Sequence, residues 1–175
     1  MATALWILAA SFALAAGITD LRWRKIPNWL TYPAVPIAIT FHWLCAGRHA
    51  ALLSLAGAAL GLAILFPFVL LRQLGGGDWK LVGVLGAFFE PRRLIVVLFL
   101  TLLINLFMAV ILVLWRKRLG QTVRNIGRIL FSFVVFRTPG ADLTIDNPEA
   151  AKVPFGIAAA IAVLLYVGSQ PWVAF

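Results

Sequence analysis

The sequence predicts an all-α, polytopic integral membrane protein with about six transmembrane helices, the fourth of them short. Of its 175 residues, 63% are apolar and only 12% are charged, whereas about 25% of the residues in a soluble domain are charged. The mean hydropathy is +1.00. Long apolar runs alternate with short charged or Gly- and Pro-containing segments. This composition excludes soluble nucleotide-binding folds of the Rossmann type and leaves almost no room for a domain outside the membrane.

Six apolar runs follow one another along the chain. A helix needs about 20 apolar residues to cross a hydrocarbon core about 30 Å thick. We therefore expect spans at about 3–19, 29–46, 50–71, 79–89, 94–115 and 153–169. The first run also resembles a secretory signal, but its basic residues follow the apolar stretch, the reverse of the order in a signal. The fourth run reaches only about 16 Å as a helix, so either the membrane thins there or the helix begins below the surface.

The basic residues predict the orientation of these spans. A net charge of +9, from 15 Lys and Arg against 6 Asp and Glu, would point to nucleic acid in a soluble chain. Here the positive-inside rule explains it, so we expect a multi-pass protein of the inner (plasma) membrane with both termini outside and no nucleic-acid partner. Only Arg48, Arg92 and Arg93 then lie outside. The other twelve lie inside: Arg22, Arg24, Lys25, Arg72, Lys80, Arg116, Lys117, Arg118, Arg124, Arg128, Arg137 and Lys152.

The longest connection, residues 116–152, is expected on the cytoplasmic side of a single transmembrane domain that spans 1–175. Its apolar residues recur at spacings of three and four near several arginines, a pattern typical of an amphipathic helix on the membrane surface. They are Leu119, Val123, Ile126, Leu130 and Phe133. Three acidic residues follow, and they either balance nearby basic charge or guide a basic substrate: Asp142, Asp146 and Glu149.

Two of the six acidic residues lie at predicted helix ends on the same membrane face. Asp20 ends the first run and Asp78 opens the fourth. Carboxylates at a membrane interface are costly, so they usually mark a functional site. Structural roles are the alternative, with Asp78 as a helix cap and Asp20 paired with the basic residues that follow it. However, Asp20 would face the negative end of its own helix dipole, and the shared placement of the two favours function.

A pair of carboxylates a few Å apart suits peptide hydrolysis. The two do not both ionise cheaply, so they share a proton. One can take a proton from water while the other, protonated, polarises a carbonyl group, with no metal or cofactor. A nucleophilic site is less well supported, because the serines lack an obvious base and only Cys45 with His42 or His49 offers a pair. A single cysteine also excludes a disulfide framework and a multi-cysteine zinc site.

Three motifs carry a family resemblance. The run DLRWRKIPN at 20–28 resembles the D-x-R-x-x-x-I-P-N signature of type IV prepilin peptidases. GGGDWK at 75–80 is similar to their G-G-G-D-x-K, whose G-x-G-D core is shared with presenilin-type and preflagellin peptidases. KVPFG at 152–156 is similar to the K-x-P-[FY]-G that precedes the family's last span. The motifs occur in the family's order at the expected helix ends, and the resemblance covers nearly the whole chain.

The resemblance implies a GxGD aspartic endopeptidase that needs no cofactor. Such enzymes cut the basic leader peptide of a prepilin or pseudopilin at the cytoplasmic face, generally after a glycine, and Asp20 and Asp78 match their catalytic aspartates. Larger members also methylate the new N-terminus and carry a domain with paired C-x-x-C motifs. That domain has no counterpart here, so the chain resembles the short TadV/CpaA-like form of the tight-adherence (Flp) pilus system.

Further residues are expected to bind substrate. They are Gly75, Gly76, Gly77, Lys80, Lys152, Pro154, Phe155 and Gly156. The glycines allow dihedrals closed to other residues and would let a peptide lie against the backbone. The Pro-Phe-Gly run either begins the last helix or contacts substrate, and Asn28 is expected to cap the second span.

Two rival functions remain on the sequence alone. A short interrupted helix beside membrane acids also describes a small ion-coupled transporter or channel subunit. A non-catalytic pilus-assembly factor is the second rival. The expected partners are a leader peptide and the lipid bilayer. The sequence leaves open whether the chain also forms a homo-oligomer.

Overall fold

Four α-helices make up most of the chain in the computed structural model, which describes residues 2–72, 74–115 and 153–170. Within these ranges there is no strand, and the helices are α1 (Ala2–Trp23), α2 (Asn28–Leu70), α3 (Gly76–Trp115) and α4 (Phe155–Gly168). The first three are long and apolar enough to cross a membrane, whereas α4 is shorter. The predicted all-α membrane-protein class is confirmed, and six crossings of the membrane stay a prediction.

Gly47 divides α2 into two arms, 28–46 and 48–70. Its φ of 76° and ψ of −168° are not helical and fall in a region nearly confined to glycine. Both arms contact the same part of α3, and the contacts run in opposite order along the two arms. The contact pairs are Asn28–Lys80 and His42–Phe88 for the first arm, and Leu62–Trp79 and Ser54–Ala87 for the second. α2 is therefore a helical hairpin whose arms correspond to the second and third predicted spans.

α3 also folds back on itself, at Glu90. This residue has a φ of 59° and a ψ of 169°, and the next residue, Pro91, has no N–H to continue the helix. The Glu90 carboxylate contacts two side chains, since His42 Nδ1 lies 3.4 Å from Oε1 and Arg93 Nη1 lies 3.3 Å from Oε2. Asn105 on the second arm reaches the level at which the first arm begins. The two arms are thus antiparallel and correspond to the fourth and fifth predicted spans.

Two helix beginnings differ from those that the sequence predicts. The short fourth run, predicted at 79–89, belongs to a helix that begins at Gly76, almost one turn earlier. The expectation that Asn28 caps the second span is wrong. Pro27 occupies the N-cap position of α2, and the Asn28 Oδ1 instead accepts a hydrogen bond from Lys80 Nζ at 2.9 Å.

Glycines allow the helices to approach closely. A Cβ on Gly57 would overlap the carbonyl oxygen of Gly86, and one on Gly61 would lie 2.6 Å from the carbonyl oxygen of Val82. Small residues at such contacts favour helix association in membranes, where lipid is as apolar as the helix surface. The first arm of α3 consequently forms the centre of the bundle. Its buried residues are Leu81, Val82, Val84, Leu85, Ala87, Phe88 and Phe89.

The connection between α3 and α4 falls outside the described residues. The amphipathic helix expected within 116–152, the acidic residues at 142, 146 and 149, and Lys152 all lie in this segment. Their roles stay predictions.

Candidate active site

A cavity of about 620 Å³ lies at the end of the bundle where α1 ends and where α3 and α4 begin. It brings together the two predicted carboxylates, the glycine run and the Pro-Phe pair, which are far apart in the sequence. The second arm of α3 and the connection from α1 to α2 complete its wall. The lining residues are Asp20, Arg24, Lys25, Ile26, Leu74, Gly75, Gly76, Gly77, Asp78, Asn105, Val153, Pro154 and Phe155.

Asp20 lies in the last turn of α1 and is held by another helix. Its side chain is buried, and its Oδ2 accepts a hydrogen bond from the Gly156 N–H at 2.7 Å. Pro154 is the N-cap residue of α4, so this N–H is one of those that have no acceptor within their own helix. A carboxylate at the unfavourable end of α1 is thus at the favourable, N-terminal end of α4. The nearby positive charge of Arg24 acts on the same carboxylate.

Gly156 lies against Asp20 with no space for a side chain. A Cβ at this position would lie 2.8 Å from the Asp20 Cβ, 3.0 Å from its Oδ2 and 3.2 Å from the carbonyl oxygen of Ala16. The predicted site residue Gly156 therefore acts here through its backbone N–H and its small size. The Pro-Phe-Gly run begins the helix, and Pro154 and Phe155 line the cavity. Substrate contact by this run stays a prediction.

Asp78 is the third residue of α3 and projects into the same cavity as Asp20. Its carboxylate is close enough to that of Asp20 for the two charges to interact. Because the helix begins at Gly76, Asp78 lies inside the first turn and not at the cap position. Within the described part of the chain its side chain makes no hydrogen bond, in contrast to Asp20.

The glycine run leaves space in the cavity wall but does not adopt a positive φ. Among the described residues, the only glycine with a positive φ is Gly47, so the run at 75–77 does not use the positive φ that glycine allows. The relevant property of these glycines is the space that the missing side chains leave in the cavity. A Cβ on Gly75 would lie 3.3 Å from Asp78 Oδ2, and one on Gly77 would lie 3.4 Å from Ile26, whereas one on Gly76 would meet no atom within 4 Å.

Of the two lysines predicted to bind substrate, the structure describes only Lys80 and places it outside the cavity. Lys80 is absent from the cavity lining, and its Nζ donates to Asn28 Oδ1 at 2.9 Å and to the Tyr32 hydroxyl at 3.3 Å. It therefore ties the start of α2 to the helix that carries Asp78. Lys152 lies outside the described residues. Substrate binding by either lysine stays a prediction.

Asn105 lines the cavity and was not selected from the sequence. It comes from the second arm of α3, which the motifs do not include. The available signal was its polarity, because it is the only polar residue between positions 102 and 114. Ile26 and Leu74 add apolar wall on either side of the glycine run, and nothing in their local sequence distinguishes them from other apolar residues.

The nucleophilic alternative lies at the opposite end of the bundle. The His42 Nε2 is 3.2 Å from the Phe88 carbonyl oxygen, and its Nδ1 contacts Glu90. Both ring nitrogens are thus engaged by groups other than Cys45, which is exposed. His42 is therefore not paired with Cys45, and a pair of Cys45 with His49 stays an untested alternative.

Comparison with known proteins adds a family to this geometry. A sequence model of the type IV leader peptidase family matches residues 7–113, more than half of the chain and a range that includes Asp20, the glycine run and Asp78. A search of curated proteins and a search of solved structures each returned no match. The match supports a leader peptidase, a hydrolase embedded in a membrane, with prepilins as the substrate class. The chain belongs to the type IV leader peptidase family.

Proposed function

We propose that this protein is an aspartic endopeptidase that removes the basic leader of type IV prepilins, with Asp20 and Asp78 as its catalytic pair. One observation carries the proposal. Two acidic residues from separate helices line one cavity at the bundle end, within electrostatic range of each other. Paired carboxylates are sufficient to activate water and polarise a peptide carbonyl, so the site needs no further chemical group.

The surroundings of the two carboxylates suggest which one acts as the base and which as the acid. The Asp20 anion is favoured by the Gly156 N–H and the Arg24 charge, whereas Asp78 has no described donor. Asp20 then takes a proton from water, the water oxygen bonds to the carbonyl carbon, and Asp78 gives its proton to the carbonyl oxygen. As the C–N bond breaks, the nitrogen takes the proton held by Asp20, and Asp78 recovers a proton from the hydroxyl of the intermediate. Both carboxylates end in their starting states.

The cavity is proposed to face the cytoplasm. Arg22, Arg24 and Lys25 follow the catalytic Asp20 at this end of the bundle, whereas Arg93 lies at the opposite end beside Glu90. Basic residues accumulate on the cytoplasmic side of membrane proteins. The site would thus meet a leader before the prepilin is exported.

The proposed substrate is an Flp-type prepilin, cleaved without methylation. Only residues 24–27 connect α1 to α2. Larger members of the family carry their cysteine-containing domain at this place. The single Cys45 offers no paired C-x-x-C motif. These features match the short TadV/CpaA-like form described above.

The direct test is cleavage of a prepilin by the purified full-length chain. We expect mass spectrometry to show a leader peptide and a mature pilin with an unmethylated N-terminus, as the only two products. Chelators and cysteine-directed reagents should leave the rate unchanged, and Cys45→Ser should be as active as the wild type. No cleavage, or cleavage that a chelator abolishes, would contradict the aspartic mechanism and favour one of the rival functions.

Replacing Gly76 by Leu should block the cavity while leaving the fold intact. The new side chain begins in open space beside Asp78, so it displaces substrate and not protein. We expect kcat/KM to fall at least about tenfold, with the yield and melting temperature of the purified protein unchanged. Gly168→Ala is a control, because that Cβ also meets nothing within 4 Å but lies far from the cavity. Equal activity of the two variants would show that substrate does not pass Gly76.

A further inference from the structure

Asn105 is a polar residue in an apolar helix arm that requires an explanation. It lies within residues 102–114, which are otherwise apolar, on a helix long and apolar enough to span a membrane. An amide in such surroundings is costly unless it is hydrogen-bonded, and in membrane helices it normally bonds to a neighbouring helix. In the described part of the chain the Asn105 side chain makes no hydrogen bond. The group that satisfies it must come from elsewhere.

The position of Asn105 indicates where that group binds. The residue is half-buried and lines the cavity that contains Asp20 and Asp78. Nearby Thr101 is also polar, but it is 1% exposed and its hydroxyl bonds to the Val97 carbonyl oxygen at 2.7 Å. The Thr101 side chain is therefore satisfied within its helix, whereas Asn105 lines the cavity and has no described hydrogen bond.

We propose that the Asn105 amide binds a backbone peptide group of the substrate beside the scissile bond; this rests on the proposed function. A primary amide has both N–H donors and a carbonyl acceptor, so it can bond to the N–H and the C=O of an extended peptide. It carries no charge, so it gives no particular advantage to the basic side chains of a leader. Gly75, Gly76 and Gly77 line the same cavity, and their lack of side chains lets a peptide backbone approach. Asn105 is thus a substrate-binding residue that holds the chain across the two aspartates.

The first test is a kinetic comparison of two polar-to-apolar variants in the same arm. Asn105→Leu should raise KM for a synthetic prepilin peptide about tenfold and change kcat less than twofold, because one hydrogen bond to bound substrate is lost. Leucine favours the membrane and the helix, so the variant should purify in wild-type amounts. Thr101→Val, which removes a hydroxyl bonded within the helix, should change neither constant.

The second test changes the substrate. In a series of peptides, single backbone amides outside the scissile bond are replaced by esters, which removes one N–H at a time. For the wild type, one ester should raise KM about tenfold; for Asn105→Leu, the same ester should have no further effect, because the bond is already lost.

The outcomes separate this inference from the proposed function. If the wild type does not cleave the peptide, the proposed function fails. If the wild type cleaves and Asn105→Leu has an unchanged KM, only the role of Asn105 is overturned. A fall in kcat at constant KM would also overturn it, because the amide would then act on the carboxylates and not on bound substrate.

Discussion

Asp20→Asn and Asp78→Asn should each reduce prepilin cleavage by roughly 10³-fold or more while the protein remains folded. Both residues act in one chemical step, so the double variant should be little worse than either single one. Folding should survive because the amide oxygen introduced by Asp20→Asn can still accept the Gly156 N–H, and Asp78 makes no described hydrogen bond. The measurement is kcat/KM for a synthetic prepilin peptide, with size-exclusion chromatography to establish that the purified variants are folded.

Glu90→Gln provides the matched control for these variants. It makes the same change from carboxylate to amide, but at the opposite end of the bundle, where Glu90 contacts His42 and Arg93. Removal of the negative charge weakens these contacts and should lower the melting temperature, whereas the folded fraction should keep the wild-type kcat. If either aspartate variant cleaved at more than a tenth of the wild-type rate, the two-carboxylate mechanism would be wrong.

Gly156→Ala should reduce kcat by about a hundredfold. The added Cβ would lie 2.8 Å from the Asp20 Cβ and 3.2 Å from the Ala16 carbonyl oxygen, so either the start of α4 or the Asp20 side chain must move. A displacement of about 1 Å in a catalytic group is sufficient for a loss of this size. Because Asp20 acts on bound substrate, the effect should appear mainly in kcat, with KM changed less than about threefold.

The control for this variant is Gly168→Ala in the same helix. Both changes replace Gly by Ala, but the Cβ at Gly168 meets nothing within 4 Å. This variant should keep wild-type kcat and equal or exceed the wild type in thermal stability, since Ala is the better helix former. Wild-type kcat in Gly156→Ala would show that the close contact with Asp20 is not needed for catalysis.

Composition and local pattern were sufficient to predict the class of protein and to select two acidic residues that meet in one cavity. Apolar runs determine helices in a membrane because every backbone group must be satisfied within its own segment there. The structure confirms the helical class. Two costly acidic residues at helix ends, Asp20 and Asp78, identified the candidate site before any geometry was known, and the structure brings both to one cavity. Their catalytic role stays a prediction that the variants above test.

Local pattern predicted the details of the site less well. The glycine run suggested unusual dihedrals, but the first helical turn of α3 extends back into it and its relevant property is space. The side chain of Asn28 looked like a helix cap, but it bonds to Lys80 in another helix. In the case of Asn28, a short-range rule was displaced by a contact with a distant part of the chain.

Only the tertiary structure decided which residues meet. The hydrogen bond from Gly156 to Asp20 joins positions 136 residues apart, and it explains a carboxylate that the dipole of its own helix disfavours. The reversal at Glu90 brings Asn105 back to the level of Asp78. Sequence determines which segments are helical because helix formation depends on neighbours within one or two turns. Which helix faces which cavity depends on how all the segments pack together, and this long-range packing has no local signal.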